Sequence, residues 1–275
     1  MNKRELDTYR DEMSITVGHD AEVFLKGPNG GPVSSIGKVG GSKEFPRKTP
    51  HGWVQEDCVT AEVNIEPAHS LSEFVEPTLL VLDDLLEIIK PLDLSIDICA
   101  SRHFPREELM DPLATLAGCE EDYDAYLLDV NPKPDYETTN IRGAGGHIHL
   151  GWKGGGEDFE DIINVVKSLE FHLVLPSVLL DDDRERRSLY GMAGAHRPKS
   201  YGVEVRSPSN FWLRSREYIE WAYYASINSI KLRGNLPVSS ETIRDTINGG
   251  DRASAYDIIK DYNIALPQGV CLNGL

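Results

Sequence analysis

Alternation of apolar and polar residues predicts β-strands in the first third of the chain. Alternating or β-rich runs cover residues 14–25 and 52–67, and between them lies a segment rich in Gly, Pro and Lys. Alternation of this kind is typical of strands that bury one face. We therefore expect two strand regions joined by a long loop, and further strands over residues 94–100, 144–152 and 201–207.

Apolar residues at helical spacing predict helices over much of the remaining chain. The first follows the capping sequence Ser-Leu-Ser-Glu at residues 70–73, and Pro77 is expected to kink its first turns. Pro176 is expected to interrupt a later helix. The other predicted helices cover residues 105–117, 157–175, 214–233, 240–248 and 251–262.

Strands and helices do not alternate one for one along the chain. This favours an α+β fold, an antiparallel or mixed β-sheet with helices packed on one face, over a doubly wound parallel sheet. No internal repeat or low-complexity linker is visible in the sequence. A single domain over residues 1–275 is therefore predicted.

Four of the predicted strands carry polar side chains at positions i and i+2, which point to the same face of a strand. A single such pair is typical of a solvated outer face, but four in one chain are harder to explain in that way. Apolar residues flank the pairs, so the opposite face is the packed one. We expect a concave polar floor built from Asp20 and Glu22, Glu62 with Asn64 and Glu66, His147 and His149, and Glu204 and Arg206.

Carboxylates with one or two imidazoles suit Mg²⁺ or Mn²⁺, because hard cations prefer oxygen ligands. Divalent cations usually accompany phosphates, and an acidic site repels ATP unless cations neutralise it. Residues 184–206 contain six Lys and Arg, whereas the chain average predicts about two. Because Arg184 and Arg186 have acidic neighbours, the candidate phosphate contacts are Arg187, Arg197, Lys199 and Arg206, with Lys43 in a glycine-rich loop as another.

The polar strands belong to a longer, ordered set of motifs. The set comprises Gly-His-Asp-Ala-Glu at 18–22, Gly-Gly-Ser-Lys at 40–43 with Pro46, Gln-Glu-Asp at 55–57, Glu-Val-Asn-Ile-Glu-Pro at 62–67, Gly-Gly-His-Ile-His-Leu-Gly at 145–151, Arg187 with Tyr190 and Gly191, and Tyr-Gly-Val-Glu-Val-Arg-Ser-Pro-Ser-Asn-Phe-Trp at 201–212. In this order the motifs resemble those of the phage-type carboxylate–amine ligases. These amidoligases belong to the glutamine synthetase and glutamate–cysteine ligase superfamily.

The resemblance implies a glutamine-synthetase-like sheet that binds ATP and Mg²⁺, with Mn²⁺ as another possible metal. The metal ligands that it implies are Glu22, Glu62, Glu66, His147 and Glu204, with Asp20 as a further candidate. Arg197 and Arg206 resemble the phosphate-binding arginines, and the implied catalytic residues are Arg206, Arg197 and Glu204. His149 is expected on the metal face, as a nucleotide contact or a ligand. Ala21 departs from the family, which often has proline there.

Several readings of the same residues stay open. A fold of this type also supports phosphoryl transfer to a guanidino group, in which the reaction stops at the phosphorylated product. His147 and His149 with Glu204 could instead form a two-histidine, one-carboxylate site for Fe²⁺. A structural protein without activity is the non-enzyme alternative, for which broken motifs are expected.

Charge limits the partners of this protein. The 275 residues include 28 Lys and Arg against 45 Asp and Glu, so the formal net charge is −17. Such a chain is not held to nucleic acid or anionic lipid by bulk charge. The beginning, with charges in place of an apolar run, predicts no signal peptide and a cytoplasmic location, which is the host cytoplasm if the gene is a phage gene. Substrate identity and oligomeric state are not readable from the sequence.

Overall fold

The computed structural model describes residues 15–116 and 120–275. The charged beginning of the chain and the end of the helix predicted over residues 105–117 lie outside the described residues. The strands are β1 (Thr16–Lys26), β2 (Pro32–Val33), β3 (Arg47–Lys48), β4 (Trp53–Asp57), β5 (Thr60–Asn64), β6 (Ser95–Asp97), β7 (Ser101–His103), β8 (Tyr123–Asp124), β9 (Asp129–Val130), β10 (Ile141–Gly143), β11 (Gly146–Gly151), β12 (Ala195–Lys199) and β13 (Gly202–Val205). The α-helices are α1 (Leu71–Ile89), α2 (Phe159–Leu169), α3 (Leu175–Leu180), α4 (Arg184–Leu189), α5 (Arg216–Lys231), α6 (Ser240–Gly249) and α7 (Arg252–Asp261).

One large antiparallel sheet organises the fold. Its main path runs β3-β4-β5-β1-β11-β13-β12-β8-β9, and β2 and β6 pair with the far end of β1. Helices α1, α2 and α5 pack against one face of this sheet. The predicted α+β class, with an antiparallel sheet and helices on one face, is therefore confirmed.

Strand β1 is central because it pairs with β5 on one side and β11 on the other. Its alternation separates the two faces of the sheet. His19 points to the helices, where its Nε2 lies 2.9 Å from Thr78 Oγ1 of α1 and its ring contacts Phe74 and Trp212 edge-on. Burial lowers the pKa of His19 to about 3, so the ring is neutral. It is a packing residue, while Asp20 beside it points to the opposite face.

Helix α1 begins where its sequence predicts. Ser70 Oγ accepts a hydrogen bond from the Glu73 backbone N–H at 3.3 Å, and the Glu73 carboxylate accepts one from the His69 N–H at 2.7 Å. These contacts satisfy backbone donors at the helix start. The helix includes Pro77 in its second turn and buries Phe74, among others, against the sheet.

Several regions differ from their sequence predictions. Residues 52–67 form the hairpin β4–β5, which turns at Cys58 with a φ of 53°. Residues 105–117 contain two short 3₁₀ turns, Arg106–Leu109 and Pro112–Thr115, in place of one helix. Neither β12 nor α4 was predicted, because β12 contains Pro198 and α4 has only six residues in a charged run.

Pro176 does not end its helix, contrary to the sequence prediction. A π-helical turn, Glu170–Val174, joins α2 to α3, and the Leu175 N–H bonds to the Glu170 carbonyl, five residues back. This wider turn lets the helix continue through the proline. The combined segment, Phe159–Leu180, is long and apolar enough to cross a membrane by length and composition, but 83% of its apolar window is buried inside the protein. That burial is typical of a core helix.

Truncating the sheet core should destabilise the protein measurably. Ile148 in β11 is fully buried, so Ile148→Ala is expected to lower the free energy of unfolding by about 2–5 kcal/mol through lost apolar burial and a cavity. Leu80 on α1 is 38% exposed and serves as the matched control, with a loss under about 1 kcal/mol. Urea unfolding of both variants checks this. Equal losses would show that β11 is not packed as described.

Candidate active site

The polar face of the sheet forms a cleft, here called the sheet cleft. Five carboxylates and four cationic side chains line it, so opposite charges are nearly balanced within one space. The lining residues are Asp20, Lys43, Pro46, Trp53, Gln55, Asp57, Glu62, Asn64, Glu120, His147, Arg197, Lys199, Glu204 and Arg206. Residues far apart in the sequence therefore form one site.

Antiparallel register brings the predicted polar residues together. Asp20 of β1 lies opposite Asn64 of β5 and His147 of β11. Glu22 lies opposite Glu62. At the other side of the cleft, Glu204 of β13 pairs in register with both His149 and Arg197. Directly opposed side chains have Cβ atoms about 5 Å apart, so each pairing places side chains in contact range.

A first group of carboxylates consists of Glu22, Asp57 and Glu62, which offer ligand oxygens within 4.8 Å of one another. Glu62 Oε1 accepts hydrogen bonds from the side-chain amides of Gln55, at 2.9 Å, and Asn64, at 3.0 Å. Burial, reinforced by neighbouring carboxylates, raises the pKa of Glu62 well above its usual range. Burial and Glu22 raise the pKa of Asp57 to about 6.

Glu22 is oriented by groups outside the cleft floor. Its Oε2 accepts a hydrogen bond from the Gly145 backbone N–H at 2.6 Å and another from the Tyr190 hydroxyl at 3.1 Å. Gly145 is required here because a Cβ at this position would lie 2.1 Å from His147 Nε2. A side chain at residue 145 would therefore displace His147.

A second group consists of Asp20, His149 and Glu204, whose ligand atoms also lie within 4.8 Å of one another. Asp20 Oδ1 is 3.1 Å from His147 Nδ1 and 3.2 Å from His149 Nε2. Burial alone would raise the pKa of Asp20, but the two imidazoles hold it well below its usual range. Against the effect of its own burial, Asp20 raises the pKa of His149. Tyr201 Oη lies 2.5 Å from His149 Nδ1 and fixes the ring from behind.

Glu204 is surrounded by three cations. Its carboxylate pairs with Arg206, with Arg197 at 3.1 Å and with Lys199 at 2.9 Å. Although burial and Asp20 act in the opposite direction, Arg206 and the two imidazoles lower the pKa of Glu204 to about 2. The side chain is 1% exposed, so it is an ionised carboxylate held inside the protein by its partners.

Arg186 pairs with Asp183, one of the acidic neighbours that the sequence predicts as its partners, and it also supports the site from below. It is fully buried, and its guanidinium donates to the carbonyls of Arg206, Ser207 and Pro208 at 2.9–3.0 Å. The same guanidinium lies over the Tyr190 ring, 4.6 Å from its centroid. Arg186 therefore fixes both the backbone at Arg206 and the tyrosine that contacts Glu22.

Most of the residues predicted for the site lie in or beside the sheet cleft. Lys43, on its loop, lines the cleft with its amine 3.6 Å from Glu120. His149 lies beside the cleft through its contact with Asp20. The predicted residues lining the cleft are Asp20, Glu62, His147, Arg197, Lys199, Glu204 and Arg206, and Glu22 adjoins it through Glu62 and Asp57.

The structure does not bring Glu66 or Arg187 to the cleft, which corrects two predicted positions. Strand β5 ends at Asn64, so the alternation that would place Glu66 beside Glu62 stops before it, and Glu66 is exposed. Arg187 lies on α4 and donates to the Ile247 carbonyl and to Ser177 Oγ, both at 3.0 Å, besides pairing with Asp183. Its cation is therefore used to join α4 to α6 and α3.

Sequence reasoning missed Asp57 as a site residue, although it lies in the Gln-Glu-Asp motif. It is two residues from Gln55 on β4, so the same alternation places both side chains on the polar face. Glu120 and Asp122 were also missed. They flank the arginines, with Asp122 Oδ2 3.1 Å from Arg206 Nε, and no strand pattern marks them in the sequence.

The donor atoms of the cleft suit a hard divalent cation. Both groups are rich in carboxylate oxygen, the ligand type that Mg²⁺ and Mn²⁺ prefer. His147 Nε2 is buried and has no hydrogen-bond partner among the described residues. Carboxylates held this close repel one another, and a bound cation relieves that repulsion.

Comparisons with known proteins bear on the family. Two solved structures are similar over nearly the whole chain. One, described as a GmaS/ADP complex in conformation 1, has a TM-score of 0.41 at 12% identity and covers 96% of this chain and 74% of its own. The other, described as a novel glutamine synthase homolog, has a TM-score of 0.38 at 13% identity and covers 98% of this chain and 71% of its own. At these values neither likeness bears on the chemistry of the cleft.

No curated protein matches the sequence. A family model, that of the phage phiEco32-like COOH.NH2 ligases of type 2, matches residues 136–263, which include β11, β12 and β13 but not β1, β4 or β5. The family that the sequence motifs indicate is thus confirmed, and residues 136–263 of this chain match the phage phiEco32-like carboxylate–amine ligases.

Proposed function

We propose that this protein is an ATP- and Mg²⁺-dependent carboxylate–amine ligase that forms an amide through an acyl phosphate. The observation that carries the proposal is the sheet cleft, where two groups of carboxylates lie beside the cations Arg197, Lys199 and Arg206. Carboxylates alone suit a metal and cations alone suit a phosphate. Their combination in one cleft suits a metal–nucleotide complex.

The two groups of carboxylates are the proposed metal ligands. Glu22, Asp57 and Glu62 would hold one Mg²⁺, and Asp20, His149 and Glu204, with His147 beside them, would hold another. When bound, Mg²⁺ neutralises charge on the phosphates of ATP. Mn²⁺ has the same ligand preference and is expected to substitute.

The three cations around Glu204 are the proposed phosphate contacts. Each of them pairs with the Glu204 carboxylate. A metal ion bound to this carboxylate would weaken these ion pairs and leave the cations available to phosphate oxygens. Arg197 and Arg206 would stabilise charge on the transferred group. Lys43, whose side chain is 64% exposed at the opening of the cleft, would add a mobile positive charge.

The proposed reaction has two steps. A carboxylate oxygen of the donor attacks the γ-phosphorus of ATP, and the bond from phosphorus to the bridging oxygen of ADP breaks. An amine nitrogen then attacks the acyl carbon, and the C–O bond to phosphate breaks to give amide and inorganic phosphate. This chain's residues bind and orient the reactants, and they perform no covalent step of their own.

The same side chains also bear on the alternative functions. A two-histidine iron site is disfavoured because the second group contains one histidine with two carboxylates, while His147 Nδ1 faces Asp20. Phosphoryl transfer without ligation uses the same cleft, and the products of the assay below distinguish it. A structural protein does not account for ionised groups buried beside one another at a cost in stability.

Three further statements remain proposals. We propose that residues 1–275 act as one catalytic domain, that the protein acts in the cytoplasm, and that its substrates are a carboxylate and an amine without bulk binding to nucleic acid. The acidic balance of the chain supports the last of these.

An acyl phosphate assay tests the proposed function. Hydroxylamine replaces the unknown amine, with Mg²⁺-ATP and a panel of amino acids and cell-extract fractions as donors. We expect ADP, phosphate and a hydroxamate, all dependent on the donor. ADP with a stable phosphorylated product would establish the kinase alternative, and absence of Mg²⁺-ATP binding would reject the ligase.

Two glutamates form a matched pair of variants for this assay. Glu204→Gln removes the charge that three cations and the proposed metal share, so turnover should fall by about 10²-fold or more while the fold persists. Glu66→Gln changes an exposed residue outside the cleft and should retain wild-type turnover. Retained turnover in Glu204→Gln would reject the assignment of Glu204 to the active site. Loss of turnover in Glu66→Gln would show that Glu66 belongs to it.

The raised pKa of Asp57 predicts that the stability of the metal-free protein depends on pH. The pKa of Asp57 is about 6 in the folded chain, against an ordinary value of 3.8, so the folded state binds more protons than the unfolded state between these values. Stability at this group therefore falls as pH rises from about 4 to about 6. Asp57→Asn should remove this loss, which is about 3 kcal/mol.

Urea unfolding in EDTA at pH 4.5, 5.5 and 6.5 measures the effect. The control is Asp83→Asn on the exposed face of α1, which should follow the wild-type dependence. If the stability of Asp57→Asn depends on pH in the same way as that of the wild type, the pKa of Asp57 is not raised as described.

A further inference from the structure

One buried carboxyl group lies outside the sheet cleft. Glu170 is the first residue of the π-helical turn that joins α2 to α3, and its side chain is fully buried. Unlike Glu204, it has no Lys or Arg partner among the described residues. Burying a carboxyl group without a cation is costly unless hydrogen bonds compensate. Turns of this kind are also frequent at functional sites. The contacts of Glu170 therefore indicate its role.

The Glu170 carboxyl joins the π-helical turn to two segments of the sheet. One of its oxygens accepts a hydrogen bond from the Gly194 backbone N–H, directly before β12. The other accepts a hydrogen bond from the Tyr126 hydroxyl at 2.7 Å, just after β8. Strands β8 and β12 are themselves paired. The carboxyl therefore connects the helical layer to this pair of strands.

Gly194 is held from two sides. Its carbonyl accepts a hydrogen bond from the Ala125 N–H at 2.9 Å, while its own N–H donates to Glu170. Its φ of 88° lies in the left-handed region, and a Cβ would lie 2.7 Å from Asp124 Oδ1, so glycine is required here. Loss of the Glu170 contact would leave a buried N–H without its partner and allow this end of β12 to shift.

The segment that follows Gly194 carries the cations that are proposed to bind phosphate. Arg197 and Lys199 lie on β12, which pairs with β13. The Ala195 carbonyl accepts a hydrogen bond from the Arg206 N–H at 2.8 Å. A shift at Gly194 would therefore move Arg197 and Lys199 through their own strand and Arg206 through this hydrogen bond.

We propose that Glu170 is a positioning residue for the phosphate-binding cations of the sheet cleft, and that it acts by holding the Gly194 N–H. It acts through the backbone and contacts neither metal nor nucleotide. The inference rests on the proposed function for the role of the cations, but the contact itself can be tested without a ligand. The essential property is the reach of the side chain, because the carboxyl spans the distance from the π-helical turn to the start of β12.

Charge on Glu170 is not required for this contact. Burial raises its pKa to about 7, so the neutral and ionised forms are both populated near neutral pH. An oxygen of either form accepts a hydrogen bond from the Gly194 N–H. Glu170→Gln keeps that oxygen and places its amide N–H at the Tyr126 hydroxyl, whereas Glu170→Asp keeps the carboxyl but is one methylene shorter. The two variants therefore separate reach from charge.

Hydrogen exchange without ligand tests the contact directly. In Glu170→Asp the backbone amides of residues 193–199 should exchange about tenfold faster than in the wild type, because one hydrogen bond is lost. In Glu170→Gln they should exchange at nearly the wild-type rate. Amides of β5, which pairs with β1, serve as the internal reference. Wild-type exchange over residues 193–199 in Glu170→Asp, or faster exchange in Glu170→Gln alone, would overturn the proposal.

Ligand binding tests the consequence for the cations. Calorimetric titration with Mg²⁺-ATP should give about tenfold weaker affinity in Glu170→Asp and near wild-type affinity in Glu170→Gln. Mn²⁺ alone should bind both variants with near wild-type affinity, because the first group of carboxylates lies on β1, β4 and β5. A merely structural defect would not divide the two ligands in this way. Equal losses of Mn²⁺ and nucleotide affinity, or a loss in Glu170→Gln alone, would overturn the positioning role.

Two further variants complete the set. Ile259→Ala creates a cavity in the core around α7 and should lower the unfolding temperature while Mg²⁺-ATP binds with wild-type affinity. An equal loss of affinity in this variant would show that stability alone accounts for the effect. Tyr126→Phe removes the other hydrogen bond of the Glu170 carboxyl and is used if Glu170→Asp does not fold. It should weaken Mg²⁺-ATP by a smaller factor, and unchanged affinity would then overturn the proposal.

The outcomes separate this proposal from the ligase proposal. Wild-type protein that binds Mg²⁺-ATP, with a Glu170→Asp variant that binds it equally well, overturns the positioning role and leaves the ligase. Exchange that rises over residues 193–199 as expected, in a protein that does not bind Mg²⁺-ATP, retains the contact and rejects the ligase.

Discussion

The pairing of β1 with a strand on each side is the constraint on which the rest of this structure depends. Because both neighbours are in register with β1, its alternation separates a helix-facing side, marked by His19, from a cleft-facing side, marked by Asp20 and Glu22. A slip of one residue would bury the carboxylates under α1 and expose the apolar core. The fold and the site are therefore specified by the same register.

The charges on the cleft side are costly to the isolated protein. Glu62 lies among other carboxylates, and Glu204 is buried with three cations crowded around it. The sheet, together with buried side chains such as Arg186, holds these like charges close to one another, where they lower the stability of the fold. Conflict between local stability and side-chain placement is typical of functional sites. A metal–nucleotide complex would relieve both the carboxylate repulsion and the crowding of the cations.

The sequence predicted the parts of the site that lie on regular strands. Residues at i and i+2 on β1, β5, β11 and β13 share a face for reasons of backbone geometry, so Glu22, His147 and Glu204 could be assigned before the structure. The same rule placed Glu66 wrongly, because it does not show where a strand ends. The resemblance to the carboxylate–amine ligase family was also readable, since the motifs are ordered over most of the chain.

Other features depend on tertiary contacts that no local pattern records. Arg187 and Arg186 are adjacent in one charged run, yet one joins helices and the other fixes the backbone at Arg206. Strand β12 forms despite Pro198 because β8 pairs only with Ala195 and His196, so at Pro198 the strand has, among the described residues, a partner on one side only, Val203 of β13. Glu120 and Asp122, which pair with the arginines of the cleft, lie in a loop, whose spatial neighbours are set by the fold and not by periodicity.

The central claim is that the carboxylates and cations of the sheet cleft together bind a metal–nucleotide complex. Titration of the wild-type protein with ATP, by calorimetry with Mg²⁺ and again with EDTA, tests it most directly. The account predicts saturable binding with Mg²⁺ and affinity at least tenfold weaker without it, because uncompensated carboxylates repel the triphosphate. Equal affinity in EDTA, or no binding under either condition, would contradict it.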